Sequence, residues 1–424
     1  MSEKILAAGL HSFTLSDIAH VEMGQSPDSR YVVEDPFQGL AFLQGNAEFG
    51  AVYPEPKFGC LRPAKRCKVN DILISVRAPV GAINVADRDY CIGRGLAAIR
   101  GQGITPSLLG EVVARQSIAL RRVAQGTTFE AVNKKDLQTL KLLLPPKTQW
   151  SQLAEILDTL DTAIHETEAI IAKLKAVKQG LLSDLLTRGI NANGELRPPP
   201  TDAPNIYKES PLGWIPKEWD LQPLGEIAKV NRGKFTHRPR NDPRFYGGKY
   251  PFIQTGEVAA AEGEFVSTYS QTLSDRGILV SQEFPVGTIA ITIAANIADT
   301  AILGIPMYFP DSVVGAIVNK IYNVRFIELS IRKAKRILEA RAPQSAQKNI
   351  NLQDLRPLLL AVPEKPEQDA IAIRYEALQN KLRSETDALA KYRFEKSGLL
   401  DDLLTGRVRV TPLLAKAAQQ SGSV

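Results

Sequence analysis

Cysteine is scarce in this chain of 424 residues: Cys60, Cys67 and Cys91 are the only three, with no histidine near them and no close pair. That excludes a zinc ribbon or a disulfide framework and fits a reducing compartment. The four histidines, His11, His20, His165 and His237, are scattered without a carboxylate or nucleophile pattern, so no catalytic triad is legible. Long apolar runs are missing too. Val286–Pro310 comes nearest, but Asn296 and Asp299 interrupt it, and Ile289, Ile291 and Ile293 alternate with a period of two. That marks a strand rather than a membrane span. Met1–Thr14 lacks the basic start and apolar run of a signal peptide, so a cytoplasmic protein with no membrane partner is expected.

Catalytic motifs are equally absent. There is no G-x-x-x-x-G-K-[ST] loop, which argues against a nucleotide-hydrolysing motor. Gly93-Arg-Gly95-Leu-Ala-Ala98 fits G-x-G-x-x-A, yet the residues that follow, up to Pro106, cannot start the helix this fingerprint needs. No Asn-Pro-Pro-aromatic or Asp-Pro-Pro-aromatic tetrapeptide of an amino-methyltransferase occurs. A free-standing nuclease or methyltransferase is therefore not expected, and no residue is assigned a catalytic, metal or cofactor role.

What is present is a repeat. Leu15-Ser-Asp-Ile-Ala-His-Val returns as Leu224-Gly-Glu-Ile-Ala-Lys-Val, Phe42-Leu-Gln44 as Phe252-Ile-Gln254, and Ile72-Leu-Ile-Ser-Val76 as Ile289-Ala-Ile-Thr-Ile293. Val132-Asn133-x-x-Asp136-Leu137 matches Ile350-Asn351-x-x-Asp354-Leu355, and Leu181-Leu-Ser-Asp-Leu-Leu-Thr187 matches Leu399-Leu-Asp-Asp-Leu-Leu-Thr405. The chain reads as two copies of one α+β plan, a β-rich domain followed by a long helix.

Steps of four and three from Leu153 visit Leu157, Leu160, Ile164, Thr167, Ile171, Leu174, Lys178, Leu181 and Leu185. The same steps from Ile371 visit Tyr375, Leu378, Leu382, Glu385, Leu389, Tyr392, Lys396, Leu399 and Leu403. So narrow a seam predicts that the two helices, each about 40 residues and roughly 60 Å long, pair as a coiled coil. Packed antiparallel, Leu157, Ile164 and Leu174 are expected to meet residues such as Leu378, Leu382 and Leu389. Gly189–Trp219 holds Pro198-Pro-Pro200, Pro204, Pro211 and Pro216 and reads as a stiff, extended linker. The resulting domain plan is 1–147, a β-rich domain; 148–188, a helix; 189–222, the linker; 223–365, the second β-rich domain; 366–405, its helix; and 406–424, a tail.

Lys and Arg outnumber Asp and Glu by 52 to 46, and the excess gathers in the β-rich domains. Arg62, Lys65, Arg66 and Lys68 precede the first alternating strand. Arg232, Lys234, Arg238, Arg240, Arg244 and Lys249 fall in one stretch with Phe235, Phe245, Tyr246 and Tyr250. Such cations neutralise phosphates, and an arginine fork also grips a guanine edge. A solvated loop gives the same composition. Before each long helix, Gln125-Gly-Thr127-Thr128 and Gln344-Ser345-Ala-Gln347-Lys348 lead into Asn133 and Asn351, each placed to cap a short helix. Lys134, the hydroxyls and the amides there are candidates for DNA contact, as is Arg77, which follows Val76 and aligns with Ala294. Loop hydrogen bonding explains the hydroxyls and amides equally well, and a structural ion pair at a strand end explains Arg77.

Four further motifs complete the pattern: Pro211-Leu-Gly-Trp214-Ile-Pro216-x-x-Trp219, Gln347-Lys-Asn349-Ile, Pro363-x-x-x-Glu367-Gln368-x-x-Ile371 and Leu399-Leu-Asp-Asp-Leu-Leu-Thr-Gly-Arg407-Val. In this order they resemble the specificity subunit of type I restriction-modification enzymes over nearly the whole chain. The first copy departs from the pattern at Gln149-Trp150 and at Thr128-Phe129-Glu130. The resemblance implies two target recognition domains held apart by an antiparallel helix pair, and a bipartite double-stranded DNA target read one half per domain. It also implies two methyltransferase and two restriction subunits as partners. S-adenosylmethionine, ATP and Mg2+ would then belong to those partners. The alternative is a stand-alone DNA-binding or scaffold protein of the same architecture.

Overall fold

Alternating side chains of one short strand face two different cores in each half of the chain, and the rest of the fold is arranged around those strands. The computed structural model describes residues 10–50, 53–117, 120–121, 131–294, 297–341, 349–405 and 407–408. They form two units, one within 1–169 and 386–424, the other within 170–385.

The first half runs β1 (His11–Thr14), α1 (Leu15–Ile18), β2 (Ala19–Met23), β3 (Val32–Val33), β4 (Leu40–Leu43), β5 (Phe58–Cys60), β6 (Arg66–Cys67) and β7 (Ile72–Ser75). It continues through β8 (Ile83–Val85), β9 (Tyr90–Ile92), β10 (Leu96–Gly101), α2 (Pro106–Arg115), α3 (Lys134–Gln138), β11 (Lys141–Leu144) and the long α4 (Trp150–Thr187). One sheet is ordered β2-β10-β7-β8, a second β3-β5-β4-β9-β6, and β1 pairs with β11. In β7 every residue is buried. Ile72 and Ile74 enter a core with Leu108, Leu109 and Val112 of α2, whereas Leu73 enters another with Leu43, Tyr90 and Ile92. A strand covered on both faces needs an unbroken apolar run, which is why alternation is imperfect there.

The second half runs β12 (Tyr207–Ser210), β13 (Gly213–Pro216), β14 (Asp220–Pro223), α5 (Leu224–Ile227), β15 (Ala228–Arg232), β16 (Tyr246–Phe252), α6 (Thr255–Ala260), β17 (Phe265–Val266), β18 (Gln271–Leu273) and α7 (Asp275–Leu279). Then come β19 (Glu283–Phe284), β20 (Ile289–Thr292), β21 (Thr300–Leu303), β22 (Met307–Tyr308), β23 (Val313–Val318), α8 (Val324–Lys333), α9 (Lys335–Arg341), α10 (Leu352–Leu355), β24 (Leu359–Val362) and α11 (Lys365–Leu404). Its sheets are β15-β23-β20-β21-β17, β18-β16-β22-β19, β14-β24 and β12-β13. The repeat therefore extends to topology. β2-β10-β7-β8 returns as β15-β23-β20-β21, and β5-β4-β9-β6 as β18-β16-β22-β19, down to the parallel pairs β4–β9 and β16–β22.

The long helices meet in antiparallel fashion within each unit. In the first, Leu153 and Leu157 at the start of α4 share a core with Leu400, Leu403 and Leu404 at the end of α11. Leu157 thus lies with Leu400 and Leu403 rather than near Leu378, because an antiparallel pair sets the start of one helix against the end of the other. In the second, Leu185 shares a core with Ile371 and Tyr375. No residue of either seam is exposed. The polar breaks in the seam are satisfied. The Thr167 hydroxyl donates to the Ala163 carbonyl at 2.7 Å, Lys178 donates to Gln379 and lies over the Tyr375 ring, and Lys396 pairs with Glu111 and, at 2.6 Å, with Asp161.

The segment 189–219 departs from the extended linker expected of it. It folds onto the second unit as a hairpin, with Ile190, Tyr207, Ile215 and Trp219 buried. Pro198–Pro200, Pro204 and Pro211 lie outside the paired strands, and Pro216 closes an edge strand, where no ladder hydrogen bond is lost. Arg197 anchors the segment with two bonds to Glu367, at 2.5 and 3.0 Å, and the backbone N–H of Ile190 donates to the same carboxylate at 2.8 Å. The neighbouring Gln368 donates through Nε2 to the Pro363 carbonyl at 2.8 Å. At the corresponding place in the first half, the Trp150 indole donates to the Pro145 carbonyl at 2.9 Å, so the Gln149-Trp150 departure keeps the same tether.

Candidate nucleic-acid interface

In the first unit the basic stretch forms β6 and its flanks. The Arg62 guanidinium lies 5.0 Å from the Tyr31 ring centre and donates to its hydroxyl at 3.1 Å. Lys65 reaches back to Glu22 on β2, and this hydrogen bond holds the Glu22 carboxyl below its ordinary range. Arg66 and Lys68 are exposed on either side of the buried Cys67. Neither makes an ion pair among the described residues. Arg77 is also exposed, one residue beyond the buried Val76, and its backbone bridges Ala131.

The second unit gathers its arginines around two aspartates. Asp311 takes Arg240 and, at 3.6 Å, Arg238, while its backbone carbonyl accepts from Arg232 at 2.6 Å. Arg244 clasps Asp242 at 2.6 and 3.1 Å and keeps that carboxyl well below the usual carboxylate range. Lys234 is exposed, and Lys249 lies over the Tyr250 ring. Behind these cations the aromatics pack on one another. Phe235 contacts Phe245, Tyr246 and Phe252, and His237 stacks on Phe245 with ring centres 4.1 Å apart. The interleaved aromatics are therefore chiefly a small core that shapes the basic loop.

Surface ion pairs contribute only about 0–1 kcal/mol each, so a phosphate can displace the exposed Asp311 at small cost, whereas Asp242, 12% exposed and bonded to the Arg244 backbone as well, is held more firmly. The sequence reading missed Tyr31, Glu22 and Asp311. The Arg240–Asp311 contact spans 71 residues, and no local spacing announces it.

Both capping expectations hold. Asn133 accepts from the backbone N–H groups of Lys135 and Asp136, and Asp136 returns a bond to the Asn133 N–H. Asn351 and Asp354 do the same at α10. Lys134, the first residue of α3, is exposed. Thr127, Thr128, Gln344, Ser345, Gln347 and Lys348 lie outside the described residues. The alignment of Arg77 with Ala294 is upheld by geometry. Arg77 bridges Ala131 as Ala294 bridges Asn349, and the next backbone bonds, Val132 to Val76 and Ile350 to Ile293, are equivalent. Among the described residues no helix is long and apolar enough to cross a membrane, and no group of three or more His, Cys, Asp or Glu is placed to hold a metal ion.

Comparison with known proteins gives one answer at three levels. Over 167 residues the chain is 36% identical to a protein of Methanocaldococcus jannaschii assigned as the MjaX type I restriction enzyme specificity subunit, a match spanning 39% of each chain. It is 24% identical over 307 residues to the MjaVIII specificity subunit of the same organism, covering 69% of this chain and 68% of that one. The crystal structure of a type I restriction-modification S subunit from M. genitalium superposes with a TM-score of 0.61 at 15% identity, covering 95% of this chain and 99% of the other. The family model for the type I restriction modification DNA specificity domain matches twice, over residues 9–176 and 216–391, once per copy of the repeat, and the chain belongs to that family of DNA specificity subunits.

Proposed function

We propose that this chain reads a bipartite double-stranded DNA target, one half-site per β-rich domain, with recognition domains over 1–147 and 223–365. Family membership gives it the specificity role within a type I restriction-modification complex and leaves catalysis, with its cofactors, to other subunits. Two methyltransferase and two restriction subunits are the assembly proposed, in the cytoplasm. Arg62, Lys65, Arg66, Lys68 and Lys134 in one domain, and Arg232, Lys234, Arg238, Arg240 and Arg244 in the other, would hold phosphates. Thr127, Thr128, Gln344, Ser345, Gln347 and Lys348 would approach base edges, together with Arg77.

The observation that carries this reading is the repeat itself. Two domains share a strand order yet differ in exposed chemistry at matched positions, as at Arg77 and Ala294. Matching frames with different surfaces suit two different half-sites. Methylome sequencing of the host, with and without the gene, tests it. A methylated motif of two short halves around an unread gap, lost on deletion, is the expected result. A single contiguous motif, or none that depends on the gene, would overturn it.

A further inference from the structure

We infer that Gln254 and Gln271 form a fixed amide pair that reads the edge of an adenine in the second unit's half-site; this rests on the DNA-reading function proposed above. β16 and β18 run antiparallel with Phe252 opposite Gln271. Two residues past Phe252, the Gln254 Nε2 donates to Gln271 Oε1 at 2.8 Å, and both side chains are exposed. The two segments are tied a second time. Glu257 accepts from the Gln254 backbone N–H at 3.0 Å and from the Ser270 hydroxyl. A lone surface glutamine must surrender its rotamer freedom to make a bidentate contact. Here much of that ordering is already done.

Their mutual bond leaves useful groups outward. Gln254 keeps a carbonyl oxygen and one N–H, and Gln271 keeps both N–H groups. An acceptor beside a donor is the complement of adenine N6–H and N7. The amides line a cavity of about 340 Å³ together with Phe235, Tyr246, Phe252 and Arg240. The aromatic wall gives the pair a rigid back, and the arginine can take the phosphate that follows the base.

Gln254 keeps the amide of its counterpart Gln44, but sheet pairing alone does not call for an amide at Gln271. In the first unit, Phe58 lies opposite Phe42 as Gln271 lies opposite Phe252, and Phe58 is itself 37% exposed. The frame is repeated while the exposed residue on it changes from aromatic to amide, as half-sites of different sequence require.

The test uses the full chain, together with whatever subunits co-purify with it, and a duplex library carrying random positions. The wild type is compared with Gln254→Met, Gln271→Met and Gln271→Phe. The methionines keep length and neutrality but remove the amide donors, and the phenylalanine is the residue the first unit already carries on the same frame. Unfolding temperatures equal to the wild type establish that each variant is folded. Each variant should bind the selected target roughly 5- to 150-fold more weakly, the range of one bidentate base contact. The adenine preference should relax at one position of one half-site, with the other half-site and the salt slope unchanged. Variants that select the wild-type sequence at every position, or that weaken all sequences alike, overturn the inference. If the wild type selects a bipartite target in that same experiment, only the adenine reading falls. A wild type that selects no sequence removes the DNA-reading function as well.

Discussion

At the scale of single residues, the basic surface is held partly in check by its own carboxylates. Asp311 occupies Arg238 and Arg240, so Asp311→Asn should release two cations to the solvent. Affinity for every DNA sequence should rise and the salt dependence should steepen, by up to about one in slope per freed charge. Binding isotherms from low to moderate salt would show it, and an unchanged slope would mean that neither arginine faces phosphate. Lys65 and Glu22 offer a pH-resolved counterpart. The Glu22 carboxyl lies below its ordinary range because Lys65 donates to it. Stability from this pair is thus present above the unfolded carboxylate value and fades as pH falls through the folded one. Lys65→Ala should cost stability near neutral pH and progressively less on acidification, read from urea midpoints at several pH values. In sequence, Arg77 stands out through its mismatch with Ala294. Arg77→Ala should change discrimination at one base position and leave the salt slope almost intact.

At the scale of elements, the long helices were legible because spacings of three and four select one face of a helix whatever surrounds it. Their polar breaks were legible too, but not their partners: nothing near Lys396 in sequence announces Glu111 or Asp161. The segment 189–219 shows the opposite failure. Proline density excludes a central strand, but it does not exclude an edge hairpin, and the buried Trp219, Ile215 and Tyr207 bring that hairpin onto the domain. What fastens it is Glu367, which receives Arg197, the Ile190 N–H and the Trp219 indole. The Arg197 side chain is only 9% exposed and that of Glu367 14%, so removing Glu367 leaves the buried Arg197 only the exposed Glu218 and takes the acceptor from the Ile190 N–H and the Trp219 indole. Glu367→Ala should therefore destabilise the protein by about 3–5 kcal/mol, far more than loss of a surface pair. Guanidinium or thermal unfolding checks this, with Lys391→Ala, which breaks an exposed pair with Glu395 on the same helix, as the low-cost comparison.

At the scale of the whole molecule, each unit is assembled from parts distant in sequence, and this sets the terms on which its domain can be exchanged. The first domain's core is closed by Leu400, Leu403 and Leu404 of α11, and its α2 meets that helix through Glu111 with Lys396 and Arg115 with Asp401. A transplant of residues 15–145 from another family member must therefore present side chains that accept this helix end. The transplant should fold when Glu111, Arg115 and the neighbouring apolar positions of α2 are kept, and lose stability when they are not, since each buried leucine left without a partner costs about 2–5 kcal/mol. Once it folds, recognition should divide cleanly. The second unit's sheets, its basic loop and its amide pair are built within 170–385, and none of their residues is replaced. Selection from a random duplex library should return one new half-site beside the original second half. If a folded chimera alters both halves, the domains do not read independently, and the division of labour drawn from the repeat is wrong.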